Sequence, residues 1–162
     1  LRADSPCIGA GYNGSVTTGT DLAGRPRISD GVVDMGAYEF QGNFSAWLDQ
    51  FGLPGDGSAD FADGDGDGLN NWQEWRAGTN PTNALSVLKI VAPVSTDISG
   101  GITVTWQSVA GMTYFIDRST DLSATPAFIN IQGGIIGQEG TTSWLDTNAT
   151  GGSSFFYRVG VQ

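Results

Sequence analysis

The chain has 162 residues, with 7 Lys+Arg against 17 Asp+Glu, no His, one Cys, 25 Gly and a formal net charge of −10. That length fits one domain or two small ones. So few bases exclude a nucleic-acid partner, the lack of His excludes Ser-His, Cys-His and His-zinc chemistry, and the lone Cys7 excludes an internal disulfide framework. No run approaches the ~20 apolar residues of a membrane span. Sparse charge with much Gly, Ser and Thr points to a β-rich extracellular protein. The chain opens on Leu1 with no signal pattern at residues 3–7, and reads as a mature or partial chain.

Residues 1–41 form the first expected part. They carry Ser5-Pro6, Gly9-Ala10-Gly11, Asp21, Gly24-Arg25-Pro26-Arg27, Asp34 and Gly36-Ala37-Tyr38-Glu39. This pattern resembles the last coil of right-handed parallel β-helix proteins of bacterial surfaces, many of them polysaccharide-lyase-like or adhesin families. The resemblance implies a β segment. A solenoid coil buries its apolar face only against neighbouring coils, so the segment is expected to pack on a longer protein or on another chain.

Residues 42–84 form the second part. Phe44, Trp47, Leu48 and Phe51 fall at i, i+3, i+4 and i+7, which predicts a short amphipathic helix capped by Asn43 or Ser45 and packed on the segment after it. That segment is acidic. Residues 49–75 hold seven acids and no base, so −7 of the −10 sits there. Aromatic and apolar residues interleave with the acids, which argues against a disordered linker.

Within it, Asp63-Gly-Asp65-Gly-Asp67-Gly68-Leu-Asn-Asn71-Trp-Gln-Glu74 matches D-x-D-x-D-G-x5-E at every position. Calcium takes six to eight oxygens at about 2.3–2.6 Å, and this spacing supplies them. Asp63, Asp65 and Asp67 wrap one side, Gly68 permits the turn, the Leu69 carbonyl follows, Asn71 ligates directly or through water, and Glu74 closes the shell. A helix over 70–77, ended by Gly78, is expected to carry Glu74. Asp56, Ser58 and Asp60 resemble the first half of another loop, but Phe61 stands where a Gly is needed. Their oxygens either join a second ion or cap a turn. One calcium would bring the net charge to −8 and two to −6. With Gly78-Thr79-Asn80-Pro81 after it, the stretch 53–86 resembles the thrombospondin-type-3-like or dockerin-like calcium segments of large bacterial surface proteins. There it implies a stiffened connector. A dockerin carries two near-identical loops, and only one is complete here.

Residues 85–162 form the third part. Ile102, Val104 and Trp106 alternate with polar residues, and Phe155, Tyr157, Val159 and Val161 alternate with Phe156, Arg158 and Gly160. Period-two alternation predicts half-buried strands. Further strands are expected at 87–92, 113–118, 127–131 and 141–146, separated by turns at Ser99-Gly100-Gly101, Gly133-Gly134 and Gly151-Gly152. Six short strands with regular turns predict an antiparallel β-sandwich. The strands bearing Trp106 and Tyr114, and the closing 155–161, resemble a fibronectin-type-III or immunoglobulin-like module. That resemblance makes 155–161 the next-to-last strand of seven. Trp106 and Trp144 read as core residues in preference to sugar platforms. Sequons at Asn13, Asn43 and Asn148 are candidate glycosylation sites.

The chain is therefore expected to be mainly β: an N-terminal β segment, a helical calcium linker and a C-terminal sandwich. The expected function is a non-catalytic extracellular or cell-surface structural or adhesion protein of bacterial origin, with calcium as cofactor. Open β edges would let copies of the chain, or neighbouring surface proteins, pair head to tail into a fibre. The alternatives are an ancillary module of a secreted polysaccharide-degrading β-helix enzyme, or a glycan-binding module. In the first, Arg2, Arg25 and Arg27 are the only basic contributors to a lyase-type site. Asp30 and Asp34, four apart, read as turn caps and not as an acid/base pair.

Overall fold

A computed structural model describes residues 5–29, 31–91, 94–97, 100–150 and 154–162. Arg2, Asp30, Ser99 and Gly151-Gly152, singled out above, lie outside them. The described residues are mainly β, with antiparallel sheets and two α-helices. None of their helices is long and apolar enough to cross a membrane. The chain divides into two compact units: Leu1–Gly64 with Asn70–Trp72, and Asp65–Leu69 with Gln73–Gln162.

In the first unit, the expected β segment over 1–41 is not a run of strands among the described residues. The described residues hold a 3-10 turn at Asn13–Ser15 and isolated bridges at Thr20–Pro26 and Ser29–Val32. The reason lies in three buried carboxylates that take the backbone N–H groups a strand would offer to its neighbour. Asp21, 7% exposed, accepts from the backbone of Ala23, Arg25 and Glu39 at 2.8, 2.9 and 3.0 Å. Asp34 accepts from Gly9 and Phe40 at 2.6 and 2.5 Å, and so does not cap a local turn. Glu39 accepts from Ser29 and Asp34, both at 3.0 Å, and pairs with Arg27 at 2.9 Å. Charge-assisted bonds of this kind are the strong ones, and a buried carboxylate needs several.

Helix α1 (Gly42–Gln50) buries Phe44 and Leu48, as its apolar stripe predicts. Phe44 meets Trp72 edge to face at 5.0 Å, so the helix packs on the segment after it. The predicted cap is different. Gln41 stands at the N-cap with no side-chain cap bond, and the Ser45 hydroxyl donates instead to the Gly55 carbonyl at 3.2 Å.

The second unit carries helix α2 (Asn71–Ala77) only in part, together with all six described strands. These are β1 (Val94–Asp97), β2 (Gly101–Ser108), β3 (Thr113–Ser119), β4 (Ile129–Ile136), β5 (Gly140–Asp146) and β6 (Phe156–Val161). They form two antiparallel three-stranded sheets, ordered β1-β2-β5 and β4-β3-β6. Val104 and Trp106 of β2 and Tyr114 and Ile116 of β3 make one buried cluster, joined by Ile102, Trp144, Tyr157, Val159 and Val161. The inward positions are those set by the alternation. Trp106 is fully buried and meets Tyr114 edge to face at 5.8 Å, while Trp144 packs against the same cluster.

Two strands differ from expectation. Of the strand expected at 87–92, Ala92 lies outside the described residues; 87–91 pair with β2 through a single Ile90–Trp106 bridge, with Leu88 and Ile90 packed on the core cluster, and the strand proper follows at β1. Residues 127–128 stay outside β4, which instead runs through Gly133-Gly134. Gly134 has φ +67° and donates to the Gln162 side chain at 2.8 Å, so the glycine pair bends the strand without ending it.

Candidate metal centre

The loop at residues 63–69 is shaped by its own side chains. Asp67 N–H donates to Asp65 Oδ1 at 3.2 Å and Leu69 N–H to Asp67 Oδ1 at 2.7 Å. Gly66 and Gly68 have φ of +80° and +96°, the left-handed region that the sequence assigns to Gly68. The result is convergence: carboxylate oxygens of Asp63, Asp65 and Asp67 all lie within 4.8 Å of one another. Among the described residues this is the one group of three or more such side chains able to hold a metal ion. Asp63 is exposed, and Asp65 and Asp67 are half-buried.

Two buried atoms of the loop stand without a donor. Asp65 Oδ2 and Asp67 Oδ2 have no hydrogen-bond partner among the described residues. Asn71, 1% exposed, gives its Nδ2 to the Ala59 carbonyl at 2.8 Å, and its Oδ1 is likewise buried without a donor. A buried acceptor without a donor costs about 1–3 kcal/mol, more for a charged one, and a cation removes that cost. All these atoms are hard oxygens, which fits an oxygen-seeking cation and not a thiophilic one.

Helix α2 then follows as the spacing predicts. Its first residues are held by Asn71 N–H to the Ala62 carbonyl and Trp72 N–H to the Asp60 carbonyl, both at 3.0 Å. Glu74 is fully buried, and the Thr79 hydroxyl lies 3.4 Å from its Oε1. The helix ends at Gly78, φ +71°, with Gly78 N–H on the Trp75 carbonyl and Thr79 N–H on the Glu74 carbonyl. This is the paired closure of a Schellman motif, and it fixes the backbone that carries Glu74.

The second half loop has a different geometry. Asp56 Oδ1 accepts from both the N–H and the hydroxyl of Ser58, at 3.0 and 2.6 Å, and so closes a turn. Those bonds, the hydroxyl's first, hold the Asp56 carboxyl below the usual carboxylate range. Asp60 turns instead to Arg25, whose Nη1 lies 2.6 Å from its Oδ2. Burial pushes the Asp60 carboxyl up, and the Arg25 guanidinium pulls it the other way. Asp56 and Ser58 thus make the bonds of a capped turn. Arg25 was readable only as part of a resemblance. The signal that it is structural is Asp21 four residues before it, whose Oδ2 lies 3.2 Å from its Nε.

The sequon asparagines Asn13, Asn43 and Asn148 are all exposed. Asn13 is engaged, giving Nδ2 to the Gly31 carbonyl and accepting from Val33 N–H, each at 2.8 Å. Neither protein-family models, nor curated proteins, nor solved structures give a significant match to this chain.

Proposed function

We infer that the chain is a non-catalytic structural or adhesion module of an extracellular, bacterial-surface protein, stiffened by calcium and able to join copies of itself by strand pairing. The observation that carries this is the loop: three carboxylates within 4.8 Å of one another, with Asp65 Oδ2 and Asp67 Oδ2 buried and without a donor. Asp63, Asp65, Asp67, the Leu69 carbonyl, Asn71 and Glu74 stand in the order and spacing of a calcium loop. Calcium's role here is to neutralise the cluster and fix the loop, not to polarise a substrate.

Strand orders β1-β2-β5 and β4-β3-β6 around one core support a fibronectin-type-III or immunoglobulin-like reading of the second unit. Strand β6 stands at a sheet edge and pairs only with β3 among the described residues. Its free backbone groups can accept a strand from another copy, and a contact of that kind that does not close gives a fibre. The described part of residues 1–41 is a poor donor for it, since carboxylates already hold several of its N–H groups.

Thermal unfolding with calcium or with EGTA tests the calcium role. Calcium at a hundred times its dissociation constant adds about 2.7 kcal/mol, which raises Tm by about 5–10 °C for a chain of this size. Equal Tm in both conditions contradicts it. Electron microscopy of concentrated protein in calcium tests assembly: filaments are expected, and dispersed monomers count against strand pairing.

A further inference from the structure

We propose that a cleft in the first unit, apart from the metal loop, binds a neutral saccharide. The cleft has a volume of about 450 Å³, within the roughly 300–1,000 Å³ of small-molecule sites. Arg25, Tyr38, Gln41, Asp56, Asp60 and Phe61 line it and carry its chemistry.

Arg25 is held rigidly, its Nε 3.2 Å from Asp21 Oδ2 and its Nη1 2.6 Å from Asp60 Oδ2, with its side chain 12% exposed. A guanidinium has five N–H donors. The remaining donors of Arg25 have no acceptor among the described residues, yet their orientation is already fixed. Gln41, 6% exposed, commits its Nε2 to the Pro26 carbonyl, which leaves Oε1 as an acceptor. Asp56 engages Oδ1 with Ser58 and leaves Oδ2 as a second acceptor. Fixed donors beside fixed acceptors suit neighbouring hydroxyls, each of which both donates and accepts.

The rings complete the match. Tyr38 and Phe61 line this polar cleft while 46% and 49% exposed. Neither is a core residue. Flat apolar faces beside directed polar groups fit a sugar ring, which has a C–H face and an equatorial rim of hydroxyls. Charge narrows the class. Asp56 and Asp60 outnumber Arg25, and Arg25 is already paired, so uronates and phosphates are repelled. A cation meets Asp56 as its only carboxylate not held by an arginine.

The test uses the whole chain in calcium, titrated by NMR with cellobiose, lactose and N,N′-diacetylchitobiose, and with digalacturonate and tetramethylammonium as charged controls. Saturable shifts of amides in 38–41 and 55–61 are expected with at least one neutral disaccharide. Tyr38→Ala and Phe61→Ala should each weaken that binding about tenfold or more, or about 1.4 kcal/mol, with Tm unchanged. The proposal is overturned if none of the three neutral probes shifts these amides, if both variants bind as the parent does, or if a charged probe binds more tightly than every neutral one. Calcium dependence of Tm is read separately, so either idea can fail without the other.

Discussion

Asp21, Asp34 and Glu39 do in the first unit what a neighbouring strand does in a sheet: they accept backbone N–H groups. Asp34→Ala strips the acceptor from Gly9 and Phe40 together. A hydrogen bond to a charged acceptor contributes about 1.5–3 kcal/mol and less where water can replace it, so this variant should lower the stability of the first unit by about 1–3 kcal/mol, read as faster amide exchange in residues 5–41. Unchanged exchange there would show that the carboxylate is dispensable. In the second unit, the Ser123 hydroxyl and N–H hold the exposed Asp121 carboxyl below its ordinary value of 3.8. Its depressed folded value means that this contribution is present above the unfolded pKa and fades as pH falls through the folded one. Ser123→Ala should return the Asp121 midpoint toward 3.8 in a carboxyl NMR titration. An unmoved midpoint would assign the shift elsewhere. None of the three buried acids announced its role by spacing. The available hint was composition, since Asp34 and Glu39 sit inside a stretch otherwise apolar or glycine.

Helix α2 shows how far local rules reach. Gly78 past the last helical turn, Glu74 at the twelfth loop position and Gly68 at the turn are all where spacing puts them, because each is fixed by contacts within a few residues. Gly78→Ala forces a side chain into φ +71° and sets its Cβ 3.2 Å from Met112 Sδ. A cost of about 1 kcal/mol is expected, seen as a lower Tm with calcium present; no change would mean that the Schellman closure contributes little. The strands were legible where the inward face is apolar, as in β2, β3 and β6. They were not where pairing overrides composition. Val87 to Val91 are as apolar and branched as a strand should be, yet they pair with β2 through one bridge, and Gly133-Gly134 look like a turn but lie within a paired strand. Register with a distant partner decides both, and no local pattern encodes it. The Arg25 pairing of Asp60 was not legible for the same reason: the two residues lie 35 apart in the chain.

Across the molecule, charge is sorted by location. Arg25, Arg27, Arg118 and Arg158 all pair with acids that are at least nine-tenths buried, so four of the seven bases serve the interior. Asp146, 1% exposed, holds both the Arg118 guanidinium at 2.7 Å and the Tyr157 hydroxyl at 3.0 Å. Burial, with this bond second, pushes the Tyr157 phenol well above the usual range, so it stays a neutral donor through the physiological range. Asp146→Ala should therefore destabilise the second unit by about 1–3 kcal/mol, measured by denaturant unfolding followed at Trp fluorescence; a parental midpoint would count against the network. The acids that remain are concentrated in residues 49–75, which contain no base of their own, and three of them converge in the loop. Net charge is thus better understood as a property of one segment than of the surface. The most direct test is calorimetric titration of the chelator-treated chain with calcium. Saturable binding of at least one ion per chain, abolished in Asp65→Ala, is the predicted result; no binding by the parent chain, or undiminished binding by Asp65→Ala, would contradict it.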